Sequence, residues 1–156
     1  MENIRLLDCT LRDGGYINQW DFGEKTIKSI ISRLIAAGTD IIEVGFLRNC
    51  TWEKDKTLFS SIKDMKKILP QNQGSTRFGA MILHDRYDIE KLEPCDWTIP
   101  IIRVTFHDYD MGEGLAFCAK VKAKGYQLFV NPINIMGYSD QQLLQLLDRV
   151  NHLHPY

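Results

Sequence analysis

Residues 23–46, GEKTIKSIISRLIAAGTDIIEVGF, decide the fold. The first part of the stretch sets Ile27, Ile30, Ile31, Leu34 and Ile35 at three- and four-residue intervals, one face of a helix, and Gly38 closes it. The last part, Ile41 to Phe46, is a short, almost continuous apolar run, as expected of a strand buried on both faces. The same period extends outward in both directions. Upstream, Ile4 to Asp8 predicts a strand. Downstream, Asp55 to Leu69 predicts a helix that stops before Pro70, and Arg77 to Leu83 a third strand. Ile89 to Leu92 is long enough for about one helical turn. Ile101 to Phe106 predicts strand four, Gly112 to Lys124 a helix capped by Gly125, and Tyr126 to Val130 strand five. Ser139 suits the N-cap of a last helix, Asp140 to Asn151, with leucines at 143, 144, 146 and 147.

Apolar strands alternating with helices imply an α/β fold with a helix-covered parallel sheet. Two architectures meet that description, an open doubly wound sheet and a (β/α)8 barrel, and periodicity alone does not choose between them. A whole barrel needs about 250 residues, or roughly 30 per β/α unit. The 156 residues of this chain are therefore expected to hold about five units of a barrel, in one domain over 1–156.

Composition narrows the function. With 44% hydrophobic residues the chain can bury a sizeable core. Nineteen basic against twenty acidic residues give a net charge of -1, without the electrostatic footprint of a nucleic-acid or acidic-membrane binder. No apolar stretch is long enough to span a bilayer, and MENIRLLD has no basic segment leading into an apolar one, so a cytoplasmic location is expected. Cys9, Cys50, Cys95 and Cys118 are irregularly spaced, which argues for reduced thiols rather than a zinc ribbon or a disulfide framework. The segment after the first strand, CTLRDGGYIN, has no glycine-rich phosphate loop of the usual kinds.

The chemistry is expected where the first two strands end. Asp8, Thr10, Arg12 and Asp13 crowd into six residues before Gly14 and Gly15, and the carboxyl ends of parallel strands are where α/β folds bind ligands. Glu43 lies in an otherwise apolar strand. A buried carboxylate needs a cation, and Arg12 on the neighbouring strand is the nearest by topology. A guanidinium fixed in this way suits a developing enolate oxygen, and an adjacent aspartate suits a hard divalent cation.

Three segments carry a family resemblance. Residues 7–15, LDCTLRDGG, resemble the first-strand motif D-x-T-L-R-D-G of the metal-dependent pyruvate aldolases, the isopropylmalate and homocitrate synthases and the hydroxymethylglutaryl-CoA lyases. Residues 37–45, AGTDIIEVG, resemble the second-strand motif A-G-x-D-x-I-E-V-G of the same barrels, in the expected order. Residues 102–107, IRVTFH, are similar to the fourth-strand R-V-x-x-H of the 4-hydroxy-2-oxovalerate aldolase branch. The resemblance favours the barrel. It implies that Asp13 binds a divalent metal, Mn2+ or Mg2+ first and Zn2+ second, that Arg12 stabilises the enolate of a pyruvate-like fragment, and that Glu43 holds Arg12. Asp8, Thr10, His107 and Asn131 would then help to bind a small 2-oxo acid. Tyr16 stands where the branch carries a catalytic histidine, and a phenol gives up its proton only well above neutral pH.

Retro-aldol cleavage of a 4-hydroxy-2-oxo acid is the first functional expectation, with an aldehyde dehydrogenase as the partner of a full-length enzyme. A Claisen-type acyl-CoA condensation or a hydroxymethylglutaryl-CoA lyase-like cleavage is the second. A non-catalytic part-barrel that self-associates through unpaired sheet edges is the third, and it predicts a homodimer. A further alternative is a complete five-stranded domain in which R-D-G is a coincidental turn. The family's H-x-H metal pair belongs to a seventh strand. His152 and His154 share that spacing but follow a helix, and are not assigned to it; His84 is given no role.

Overall fold

The computed structural model describes residues 4–156. In chain order it contains β1 (Leu7–Asp8), α1 (Thr10–Asp13), α2 (Gly15–Asn18), α3 (Glu24–Ala36), β2 (Ile41–Leu47), β3 (Leu58–Phe59), α4 (Ile62–Lys66), β4 (Arg77–Leu83), β5 (Ile101–Phe106), α5 (Met111–Ala123), β6 (Gln127–Pro132) and α6 (Asp140–Leu153). The sheet is parallel throughout, in the order β1-β2-β4-β5-β6, with β3 also on β2. The five strands of that path form a half-barrel, with the short β3 as a sixth strand beside β2.

The helices cover its convex face. Ile27 and Ile31 of α3 are buried there, as are Leu115, Cys118 and Val121 of α5 and Leu146 of α6. Gly114 permits a close approach of α5, because a Cβ on it would fall 2.3 Å from the Phe106 ring. In α6 the leucine stripe divides: Leu146 packs inward, whereas Leu144 and Leu147 stay exposed. Among the described residues, no helix is long and apolar enough to cross a membrane.

Two predicted elements take a different form. The first strand is confined to Leu7–Asp8, because the Asp8 carboxylate accepts the Thr10 backbone N–H at 3.0 Å and the Thr10 hydroxyl at 3.1 Å, turning the chain into α1. The expected helix over Asp55–Leu69 shrinks to Ile62–Lys66. Residues 55–59 are held extended instead. The Thr57 carbonyl accepts Phe46 N–H, the Thr57 hydroxyl donates to Leu11 O at 2.7 Å, and the Asp55 carbonyl accepts the N–H groups of Phe22 and Gly23. β3 thus fills the side of β2 that the short β1 leaves free, and helix begins only where Ser61 accepts the Asp64 N–H as an N-cap.

One irregularity shapes the concave face. Glu43 pairs with Gly79 and Phe46 with Met81, so β2 spends three residues where β4 spends two. This is a β-bulge, centred on Gly45. Gly45 has φ +154°, and a Cβ there would lie 2.1 Å from the Thr57 carbonyl oxygen. Without the bulge, residues 43 and 46 would point to opposite faces. With it, Glu43 and Phe46 share the inner face.

Candidate functional site

Strand register stacks the inner face in layers. Glu43 and Gly79 form the lowest, followed by Phe46, Met81, Arg103 and Phe129, and then by Leu83, Thr105 and Asn131. Above them opens a cavity of about 310 Å³ at the carboxyl ends of the strands. Its wall includes Arg12, Asp13 and Tyr16 from the turn after β1, with Phe46, Met81, Arg103, Thr105 and Asn131 from the strands.

An ion cluster forms its floor. The Glu43 side chain is only 2% exposed. Arg12 Nε donates to Glu43 Oε1 at 2.5 Å. Arg103 donates from Nε to Oε2 and from Nη2 to Oε1, both at 2.8 Å, a two-pronged grip on one carboxylate. Asp13 Oδ1 accepts from Arg12 Nη1 at 2.5 Å, yet the Asp13 side chain is 61% exposed. Burial works against the Arg12 charge, but the attraction of Glu43 and Asp13 outweighs it and raises the Arg12 pKa. The guanidinium is therefore permanently charged and held still.

Tyr16 belongs to an aromatic wall, with its ring 4.8 Å from that of Trp20 and 6.4 Å from that of Phe46, both edge-on. Trp20 fixes the turn by donating from Nε1 to the Arg12 carbonyl at 2.7 Å. Gln19 and Trp20 both occupy the left-handed backbone region, with φ of 57° and 61°. Such backbone persists only where its surroundings enforce it, as the indole hydrogen bond does here.

Of the residues singled out in the sequence, Arg12, Asp13, Glu43, Tyr16 and Asn131 converge on this cavity or its floor. Asp8 and Thr10 do not reach the wall; they pair with each other and fix the turn from which Arg12 and Asp13 project. His107 is also off the wall, its ring stacked 4.9 Å from that of Tyr109. His84 Nε2 lies 2.8 Å from an Asp110 carboxylate oxygen, outside the cavity lining. His152 is in the last turn of α6 with Nδ1 2.7 Å from the Asp148 carbonyl, and His154 is the left-handed C-cap.

Sequence reasoning missed Arg103, Phe46 and Thr105. Arg103 carried the signal that identified Glu43, a charge inside an apolar strand. What the sequence hid was that Glu43 could serve two arginines at once.

The residues do not make up a complete metal centre. Asp13 offers one exposed carboxylate oxygen beyond its Arg12 contact, and among the described residues no group of three or more His, Cys, Asp or Glu side chains is placed to hold an ion.

No protein-family model matches the chain, and no curated protein does. Among solved structures, the crystal structure of the N-terminal domain of a "putative aldolase" from Bacteroides vulgatus is similar, with a TM-score of 0.58 and 19% sequence identity. The match covers 96% of this chain and 60% of that one. At this identity the likeness is one of fold.

Proposed function

We propose that this chain carries the enolate-handling part of an aldolase-type site, acting on the carbon-carbon bond of a 4-hydroxy-2-oxo acid. The observation that carries this reading is the Arg12–Glu43–Arg103 cluster on the floor of a cavity at the carboxyl ends of parallel strands. Two guanidiniums sharing one buried carboxylate are held with fixed N–H donors beside the cavity, pre-oriented before any ligand arrives.

In the cleavage direction, the 4-hydroxyl passes its proton to solvent water in the open cavity, and its oxygen becomes the aldehyde carbonyl as the C3–C4 bond breaks. The electron pair of that bond moves through C2 onto the 2-oxo oxygen, giving an enolate, which is then protonated at C3 to release the 2-oxo acid. Arg12 is assigned to the enolate oxygen, where its charge matters more in the transition state than in the ground state. Glu43 holds Arg12 in place, and Arg103 receives the substrate carboxylate. Tyr16 is assigned to the 4-hydroxyl, with Asn131 as a neutral hydrogen-bonding group on the opposite wall. Asp8 and Thr10 act one step back, through the turn. Asp13 would contribute one oxygen to a divalent ion such as Mn2+ or Mg2+. The described residues do not furnish the rest of its coordination shell, and no step here runs through it.

Calorimetry with oxalate, which has the charge and shape of a pyruvate enolate, tests the assignment. Binding should weaken by about tenfold or more in Arg12→Met, the loss expected for one charge-assisted contact. Oxalate that binds neither protein, or both equally, would overturn it.

A further inference from the structure

A third arginine lies behind the cavity lining, against the Phe46 ring that forms part of the wall, and enters no ion pair among the described residues. Arg48 directly follows β2. The register Leu47 with Ile82 brings it level with Leu83, which lines the cavity. It lies two residues beyond Phe46, so the alternation of an extended chain turns it to the same inner side. Its guanidinium carbon is 5.0 Å from the centre of the Phe46 ring and 5.4 Å from that of Trp20. Arg12 approaches the same Phe46 ring at 5.8 Å. Arg48 Nε is buried and has no hydrogen-bond partner.

A guanidinium donor left unmatched in the interior is destabilising. Stacking on two rings holds the charge in position without neutralising it. The cations on the floor differ in this respect, since Glu43 and Asp13 already offset them. Along β2 and the residue after it, the chain therefore runs from compensated cations, past an aromatic ring of the wall, to an uncompensated cation level with the uppermost layer.

We infer that Arg48 is a specificity-determining residue, and that the ligand of this site is a short-chain dianion. The 2-oxo carboxylate end lies on the floor, and a second anionic group at the far end of the molecule is received by Arg48. The layer that contains Leu83 also carries Thr105 and Asn131, whose hydroxyl and amide can complete the hydrogen bonds of that second group. In the aldol reading, on which this inference rests, the aldehyde half of the substrate carries a carboxylate or a phosphate rather than a plain alkyl chain. A simple hydrocarbon tail would leave Arg48 unmatched.

The test compares two ligands with the same number of carbons, 2-oxoglutarate and 2-oxopentanoate, which differ in the terminal carboxylate. Binding of each, and of pyruvate, is measured by calorimetry on the full chain and on Arg48→Met, which keeps an unbranched apolar stem against the rings, and Arg48→Lys, which keeps the charge. In the unaltered chain 2-oxoglutarate should bind about tenfold tighter than 2-oxopentanoate. Arg48→Met should lose that preference while binding pyruvate unchanged, and Arg48→Lys should retain part of it. Equal binding of the two ligands by the unaltered chain, or a preference that survives in Arg48→Met, overturns the inference and leaves the enolate reading standing. Failure of all three 2-oxo acids to bind overturns both. Replacing 2-oxoglutarate with a 2-oxo acid ending in phosphate distinguishes the two kinds of terminal anion by which shows the larger Arg48 effect.

Discussion

Glu43→Gln removes one charge from the cluster and changes almost nothing else in volume. The side chain would still lie between Arg12 and Arg103, now without the carboxylate that accepts hydrogen bonds at 2.5, 2.8 and 2.8 Å. Two guanidiniums would then face each other across a neutral amide. Breaking a buried ion pair from one side costs about 3–5 kcal/mol, because the remaining charge stays desolvated. Two features place the expected loss at the lower end. The arginine side chains are 11% and 17% exposed, so water reaches both, and Asp13 still pairs with Arg12. A loss of about 3 kcal/mol, with a urea slope near 2 kcal/mol/M for a chain of this size, moves the midpoint down by about 1.5 M. Urea unfolding followed by tryptophan fluorescence measures the shift. The combined variant Arg12→Met, Glu43→Leu, Arg103→Met should recover most of it, since an apolar cluster of similar volume replaces a buried ion cluster at little or no cost. A midpoint shift below about 0.3 M in Glu43→Gln would refute the reasoning, because it would mean that the three groups are hydrated separately in solution.

Gly45→Ala should destabilise the chain by about 2–4 kcal/mol in the same assay, since its Cβ would meet the Thr57 carbonyl at 2.1 Å and relief would require opening the bulge; a loss below about 1 kcal/mol would contradict the bulge. Burial raises the Asp64 pKa, but hydrogen bonds from Lys67, Ser60 and Ser61 outweigh it, and the net shift is downward from 3.8. The carboxylate therefore stabilises the fold above its unfolded pKa, and that contribution is lost as pH falls through the lower folded value. Asp64→Asn should cost about 1 kcal/mol at pH 7, and the gap should begin to narrow as pH falls below about 4; a gap independent of pH would refute the assignment. The half-barrel exposes Leu6 beside β1 and Met136 beyond β6, and unpaired edges favour pairing with another copy. Size-exclusion chromatography with light scattering should show a dimer at high protein concentration, and monomer alone would refute self-association.

Most of the half-barrel was legible because burial on both faces writes a strand as an apolar run. Arg77–Leu83 and Ile101–Phe106 form strands at the expected residues, and the helix stripe of Ile27 and Ile31 packs as its spacing requires. The segment before α4 was not legible, because long-range contacts decide it. Residues 55–69 have a helical pattern, but the early part is held extended by hydrogen bonds to β2 and to the 11–23 segment. Local propensity yields to tertiary contacts in such a case. The site divides in the same way. Arg12 and Glu43 were readable as a pair because a buried carboxylate demands a cation and the turn after the adjacent first strand offers one close in topology. Arg103 lies two strands from Glu43, and Arg48 joins the inner face only because a bulge at Gly45 shifts the alternation by one residue. One glycine therefore determines which charges the cavity sees. An unbroken β2 would turn Phe46 and Arg48 to the side opposite Glu43, separating the enolate-binding floor from the cation above it. The bulge is thus as much a part of the proposed site as the arginines it aligns.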